Sequence, residues 1–284
     1  MQEILEILSE TTLDTIKLIP FLLITYLIME YIEHKTSDKV KKTIEKSGKF
    51  GPLLGGILGI FPQCGFSVSA TNLYAARVIT LGTLMAVYLT TSDEMLPILL
   101  TEAVPLSTIL IILGIKLVIG IAAGFVIDIA LRIIKKDNME EQKIEKLCEH
   151  EHCHCEEGIV LSAIKHTLNI IIFIFIITLV INGIIELIGE EAIGHFISQN
   201  IILGPAIAGL IGLIPNCASS VILTELFVES VISMPVLISG VAVNAGVGLL
   251  VLFKTNKNIK ENFKMIGLLY AIGVLSGIIL EIIL

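Results

Sequence analysis

The chain has 284 residues, of which 55% are apolar and only 16% charged, with a mean hydropathy of +0.92. That leaves too little charge to coat an aqueous surface, and the composition describes an all-α polytopic membrane protein whose partner is the lipid bilayer. The net charge of -8 hides a clustering of the 19 basic residues, all but Lys17, Arg77 and Lys116 lying in three patches, Lys35 to Lys49, Arg132 to Lys165 and Lys254 to Lys264. Membrane topology accounts for those patches, so nothing points to a nucleic-acid partner.

In chain order, the opening MQEILEILSE is acidic where a cleaved leader would be basic, so the first apolar segment, about Leu13 to Glu33, is expected to stay as a transmembrane helix. The lysine patch that follows places its end in the cytoplasm. From Phe50 to Arg77 an apolar run is interrupted at Pro62, which leaves two pieces too short to span alone. The polar run Thr90 to Glu94 divides the next stretch in the same way, giving a re-entrant pair. A full helix from about Leu106 to Ile134 returns to the cytoplasm and meets a polar loop. The second half repeats the plan, with a helix from about Ile159 to Leu187, a break at Pro215, another near Asn244, and a last helix from about Phe263. The divisions are therefore a first transmembrane repeat over 1–134, a Cys/His-rich cytoplasmic loop over 135–158, and a second repeat over 159–284. Both termini come out extracytoplasmic in a multi-pass cell-membrane protein. The acidic clusters Glu3, Glu6, Glu10, Asp14 and Glu186, Glu190, Glu191 agree with that orientation.

GIFPQCGFS (59–67) and GLIPNCASS (212–220) align at a constant offset of 153 residues. The offset pairs Gly51-Pro52 with Gly204-Pro205, Gly56 with Gly209, Gly59 with Gly212, and Pro62, Cys64 and Ser67 with Pro215, Cys217 and Ser220. Further along it carries Gly120 onto Gly273 and Gly124 onto Gly277. Basic patches follow the first helix of one half and precede that of the other, so the halves are expected in opposite orientations, as an inverted-topology repeat of about five segments each.

A helix broken in lipid exposes backbone groups that only protein, water or an ion can satisfy, so the breaks at Pro62 and Pro215 mark a buried polar site. Inverted repeats with discontinuous helices are how secondary transporters build a midplane substrate site. The donors available there are Gln63 and Cys64, Asn216 and Cys217, the amide of Asn244, and the carboxylates Asp93 and Glu94. Adjacent carboxylates repel each other unless a cation or proton shares the site, so these residues suggest a transported metal ion. Lys116, the one lysine in the middle of a predicted span, either neutralises an acid there or snorkels to the surface. The loop CEHEHCHCEE offers Cys148, His150, His152, Cys153, His154 and Cys155, a thiolate and imidazole set that suits zinc, copper, nickel or a similar ion. It would act as a cytoplasmic collecting arm. No Walker loop or G-x-S-x-G is present, and the H-E-x-x-H string His150 to His154 falls within the Cys/His tract, so neither nucleotide-driven transport nor hydrolysis is expected.

The stretches FPQCGFSVSA, TTSDEMLPILL, IPNCASSVILTELF and NAGVGLLVLF resemble the ten-span, ArsP-like heavy-metal exporters, a family linked by its labels to manganese and to arsenic. The resemblance covers nearly all of the chain outside the Cys/His loop. It implies efflux of a metal or metalloid across the cytoplasmic membrane. The residues at its motif positions are Pro62, Gln63, Cys64, Ser92, Asp93, Glu94, Pro215, Asn216, Cys217 and Asn244. The expectation is a secondary exporter of a divalent cation, manganese favoured and zinc, iron or another transition metal possible, with no resident cofactor and no enzymatic activity. Its alternatives are an arsenite or organoarsenical permease and a membrane thiol-disulfide electron carrier.

Overall fold

The computed structural model describes residues 8–27 (except 10, 14, 17, 21 and 25), 50–134 (except 63 and 93), 159–188 and 203–283. The described residues between 8 and 27 are helical. After them come α1 (Gly51–Gly59), α2 (Cys64–Ala75), α3 (Leu81–Thr90), α4 (Met95–Thr101) and α5 (Leu106–Ile134). The second half supplies α6 (Ile159–Ile188), α7 (Leu203–Gly212), α8 (Ala218–Val228), α9 (Met234–Val243), α10 (Gly248–Thr255) and α11 (Ile259–Ile283). No strand occurs among the described residues.

Four described stretches are long and apolar enough to cross a bilayer: Leu106–Ile134, Ala163–Val180, Met234–Thr255 and Ile259–Ile283. At 1.5 Å per residue, α5 and α11 reach about 38–44 Å, enough for a hydrocarbon core of ~30 Å. Both expose large apolar side chains outward, among them Val118, Val126, Leu275 and Ile279. In water such a surface would aggregate, whereas in lipid it is the solvated face. The short helices α3 and α9 are the reverse, with every residue after the first buried. Each is sheathed by the long helix and the short first helix of its own half, α3 by α1 and α5, α9 by α7 and α11. The halves interlock through α2, which lies along α10, and through α8, which lies along α4.

The 153-residue offset, which is also the separation of Cys64 from Cys217, recurs in the helix boundaries. It carries Leu81–Thr90 onto Met234–Val243, Met95 onto Gly248, and Leu106 onto Ile259. Arg77 and Ser230, one offset apart, are both left-handed, with φ of 59° and 61°. They end α2 and α8 by one motif: Val78 N donates to Leu73 O and Val231 N to Leu226 O, each at 2.8 Å. Packing repeats as well. A Cβ on Gly124 would press on Pro52 and the carbonyl of Gly82, and one on Gly277 on Pro205 and the carbonyl of Pro235.

The buried helices α3 and α9 begin on hydroxyl caps. Thr80 accepts from Thr83 N at 3.1 Å and Ser233 from Val236 N at 3.5 Å. A carboxylate from the long helix of the same half completes each cap. Asp128 of α5 accepts from Thr80 Oγ1 (2.7 Å) and Gly82 N (2.9 Å), and Glu281 of α11 accepts from Ser233 Oγ (2.8 Å).

Among the polar contacts between the halves that have no such twin is an ion pair. Glu261, in the first turn of α11, accepts from Tyr74 OH at 2.6 Å and pairs with Arg77 at 3.2 Å. Stepping these residues by the offset gives Thr108, Phe227 and Ser230, which cannot form an ion pair.

Candidate transport site

The four breaks converge on one region. Pro62 lies in the turn between α1 and α2, and Pro215 in the turn between α7 and α8. The first break of each half abuts the second, because Gly59 packs on Thr90 and the Val87 carbonyl, and Gly212 on the Gly240 carbonyl and the Asn244 amide. Any side chain there would force the helix ends apart.

Cys64 opens α2 and Cys217 is the N-cap of α8, and their sulfurs lie 3.0 Å apart. They are not joined in a disulfide. Cys217 is buried and Cys64 half-buried. Each cysteine carbonyl accepts a 2.8 Å bond from the serine three residues on, Ser67 or Ser220. Thr71 and Thr224 then donate to Ser67 O and Ser220 O at 2.7 and 2.6 Å. These hydroxyls serve their own helices rather than a ligand.

Asn216 is buried, and its Oδ1 accepts from Ala218 N at 3.5 Å. Asn244, the C-cap of α9, donates from Nδ2 to Ser219 Oγ (3.1 Å), while its Oδ1 accepts from Gly246 N (2.7 Å). Ser219 in turn donates to Asn216 O at 2.9 Å. A continuous polar chain therefore ties the two breaks of the second half to the residue beside Cys217. On the first half, Thr90, Thr91 and Ser92 are buried with their hydroxyls turned back onto backbone carbonyls. Glu94, the N-cap of α4, is half-buried and makes no capping bond. The expected donors Gln63 and Asp93 lie outside the described residues, as do Cys148, His150, His152, Cys153, His154 and Cys155 of the loop. Among the described residues, no group of three or more His, Cys, Asp or Glu side chains is placed to hold a metal ion.

Lys116 decides against one of its two alternatives. It is fully buried on α5, and its ammonium donates to Thr91 O, at the C-terminal end of α3, and to Val241 O of α9 at 3.1 Å. It does not snorkel. It places a positive charge against the carbonyl-rich ends of the two central helices, where the helix dipole is negative. The sequence carried this signal, a lone lysine in a long apolar span. Tyr88 carried none: its hydroxyl lies 2.6 Å from Thr71 Oγ1 and donates to Gly248 O at 3.4 Å, linking α2, α3 and α10.

Comparison with known proteins gives one family, ArsP_2, described as "Putative, 10TM heavy-metal exporter", which matches residues 3–191. No curated protein and no solved structure matches the chain. The match covers the first half, the loop and the start of the second half, and it agrees with the helical, lipid-facing architecture. The chain belongs to this heavy-metal exporter family.

Proposed function

We propose that the chain is a secondary active exporter that carries a divalent transition-metal cation across the cytoplasmic membrane, between two halves inserted in opposite orientations. The single observation that supports this most is the 3.0 Å approach of Cys64 and Cys217, which draws one sulfur from each half to the place where the breaks converge. The amide of Asn216 adjoins Cys217 in the chain; Glu94, Asp93 and Gln63 would have to close on the sulfur pair when an ion binds, because no three described Cys or Glu side chains already surround one point. Oxygen donors alone favour manganese; a thiol pair shifts the preference toward zinc, iron(II) or cadmium. Asn244 spends both ends of its amide on the protein, so its part is to hold the breaks together. The loop at Cys148 to Cys155 remains the proposed collecting arm, and the basic patches support a cytoplasmic location for it.

The thiol pair also favours a second reading, efflux of thiol-seeking trivalent arsenic. Purified protein in liposomes separates the two. Under a pH gradient, the expected result is movement of zinc, iron(II), cadmium or manganese, lowered at least tenfold by Cys64→Ser. Movement of none of these ions, with arsenite carried instead, would overturn the cation reading.

A further inference from the structure

We propose that Cys64 and Cys217 form a reversible modification site, at which a hydroperoxide converts the two thiols into one disulfide and so ties the halves of the molecule together. The bond itself does not depend on the transport reading; only its effect on export does. The sulfurs stand 3.0 Å apart, about 1 Å farther than a disulfide, so side-chain adjustment can close the gap. Their exposure is unequal. Cys64 is half-buried and within reach of a small oxidant, whereas Cys217 is 6% exposed and shielded by packing. This suits Cys64 to attack first and Cys217 to resolve.

In the first step the Cys64 sulfur attacks the peroxide O–O bond, giving a sulfenic acid and releasing an alcohol, or water from hydrogen peroxide. Cys217 then attacks the sulfenic sulfur, forming the S–S bond and releasing water. Two thiols are oxidised by two electrons, one peroxide is reduced, and both thiol protons leave in the products. A dithiol reductant reverses the bond by exchange. Because one sulfur belongs to α2 and the other to the N-cap of α8, the bond would staple together elements that alternating access must move apart. It would also withdraw both sulfurs as donors.

The test uses the full chain in liposomes, treated with hydrogen peroxide, quenched, digested and mapped by mass spectrometry, with zinc flux followed in parallel. The expected result is a cross-linked peptide pair holding Cys64 and Cys217, about 2 Da lighter than the sum of the free peptides. Zinc flux should fall at least tenfold and return with dithiothreitol. Cys64→Ser should give no such pair. Oxygen added separately to each cysteine, or two unmodified peptides, overturns the bond. A bond that leaves flux unchanged overturns the stapling. If the reduced protein carries none of zinc, iron(II), cadmium and manganese, the transport reading fails, while the peptide map still decides the bond.

Discussion

At the scale of single residues, Lys116 is the side chain whose environment demands a purpose. A buried ammonium costs several kcal/mol unless it is well solvated by protein groups, and here the carbonyls of Thr91 and Val241 supply that solvation from two halves. If an exported cation sought the same carbonyl oxygens, Lys116 would compete with it and hold the region together without it. Lys116→Gln is expected to tighten zinc binding to detergent-solubilised protein about tenfold, ~1.4 kcal/mol, while lowering flux at least tenfold. Calorimetry and liposome flux read the two effects; weaker binding would place Lys116 on the side of the ligand. The sequence made Lys116 legible because a lysine is costly in an apolar span, and Cys64 and Cys217 legible because they recur in matched breaks 153 residues apart. It could not convey that the two sulfurs touch, since that depends on how α2 and α8 meet.

At the scale of elements, the short buried helices depend on their caps and on close approach. Removing the Asp128 carboxylate strands the buried Gly82 amide and takes a partner from the half-buried Thr80 hydroxyl, at a cost of about 1–3 kcal/mol. The Glu281 cap is exposed and lacks the backbone bond. Asp128→Ala should therefore lower the thermal midpoint in detergent by several degrees more than Glu281→Ala does; equal shifts would contradict the burial argument. Glycines divide in the same manner. A Cβ at Gly212 meets backbone at Gly240, which cannot yield, whereas Gly114 and Gly267, one offset apart, have open space around them. Gly212→Val should abolish well-folded protein on size exclusion, and Gly267→Ala should raise stability by about 0.5–1 kcal/mol through helix propensity. The breaks were legible in the sequence because proline and amide residues interrupt apolar runs. The start of α11 was not: it begins at Ile259, a turn before Phe263, because Asn256 and Asn258 cap a segment whose lysines read as loop.

At the scale of the molecule, the 153-residue register organises nearly everything described, from helix ends to left-handed residues. It was readable from seven identities over 17 positions. What it could not reveal are contacts that depart from it, among them Tyr74, Arg77 and Glu261. Arg77 and Glu261 are 41% and 26% exposed, so the ion pair is worth at most ~1 kcal/mol, yet even that biases a two-state equilibrium about fivefold. Glu261→Gln should change the rate at which an impermeant maleimide labels Cys64 from opposite faces of sealed vesicles, raising it from the face nearer Arg77 by about that factor. No change on either face would make the contact a passive one.

Such an untwinned latch tips an even balance. Two matched halves sharing one centre would rest open to either side with equal ease, like a turnstile that spins both ways. If the halves alternate as proposed, a charged clasp on one seam would make the idle carrier prefer one posture, and a carrier with a preferred posture would waste fewer reverse cycles when its cargo is scarce.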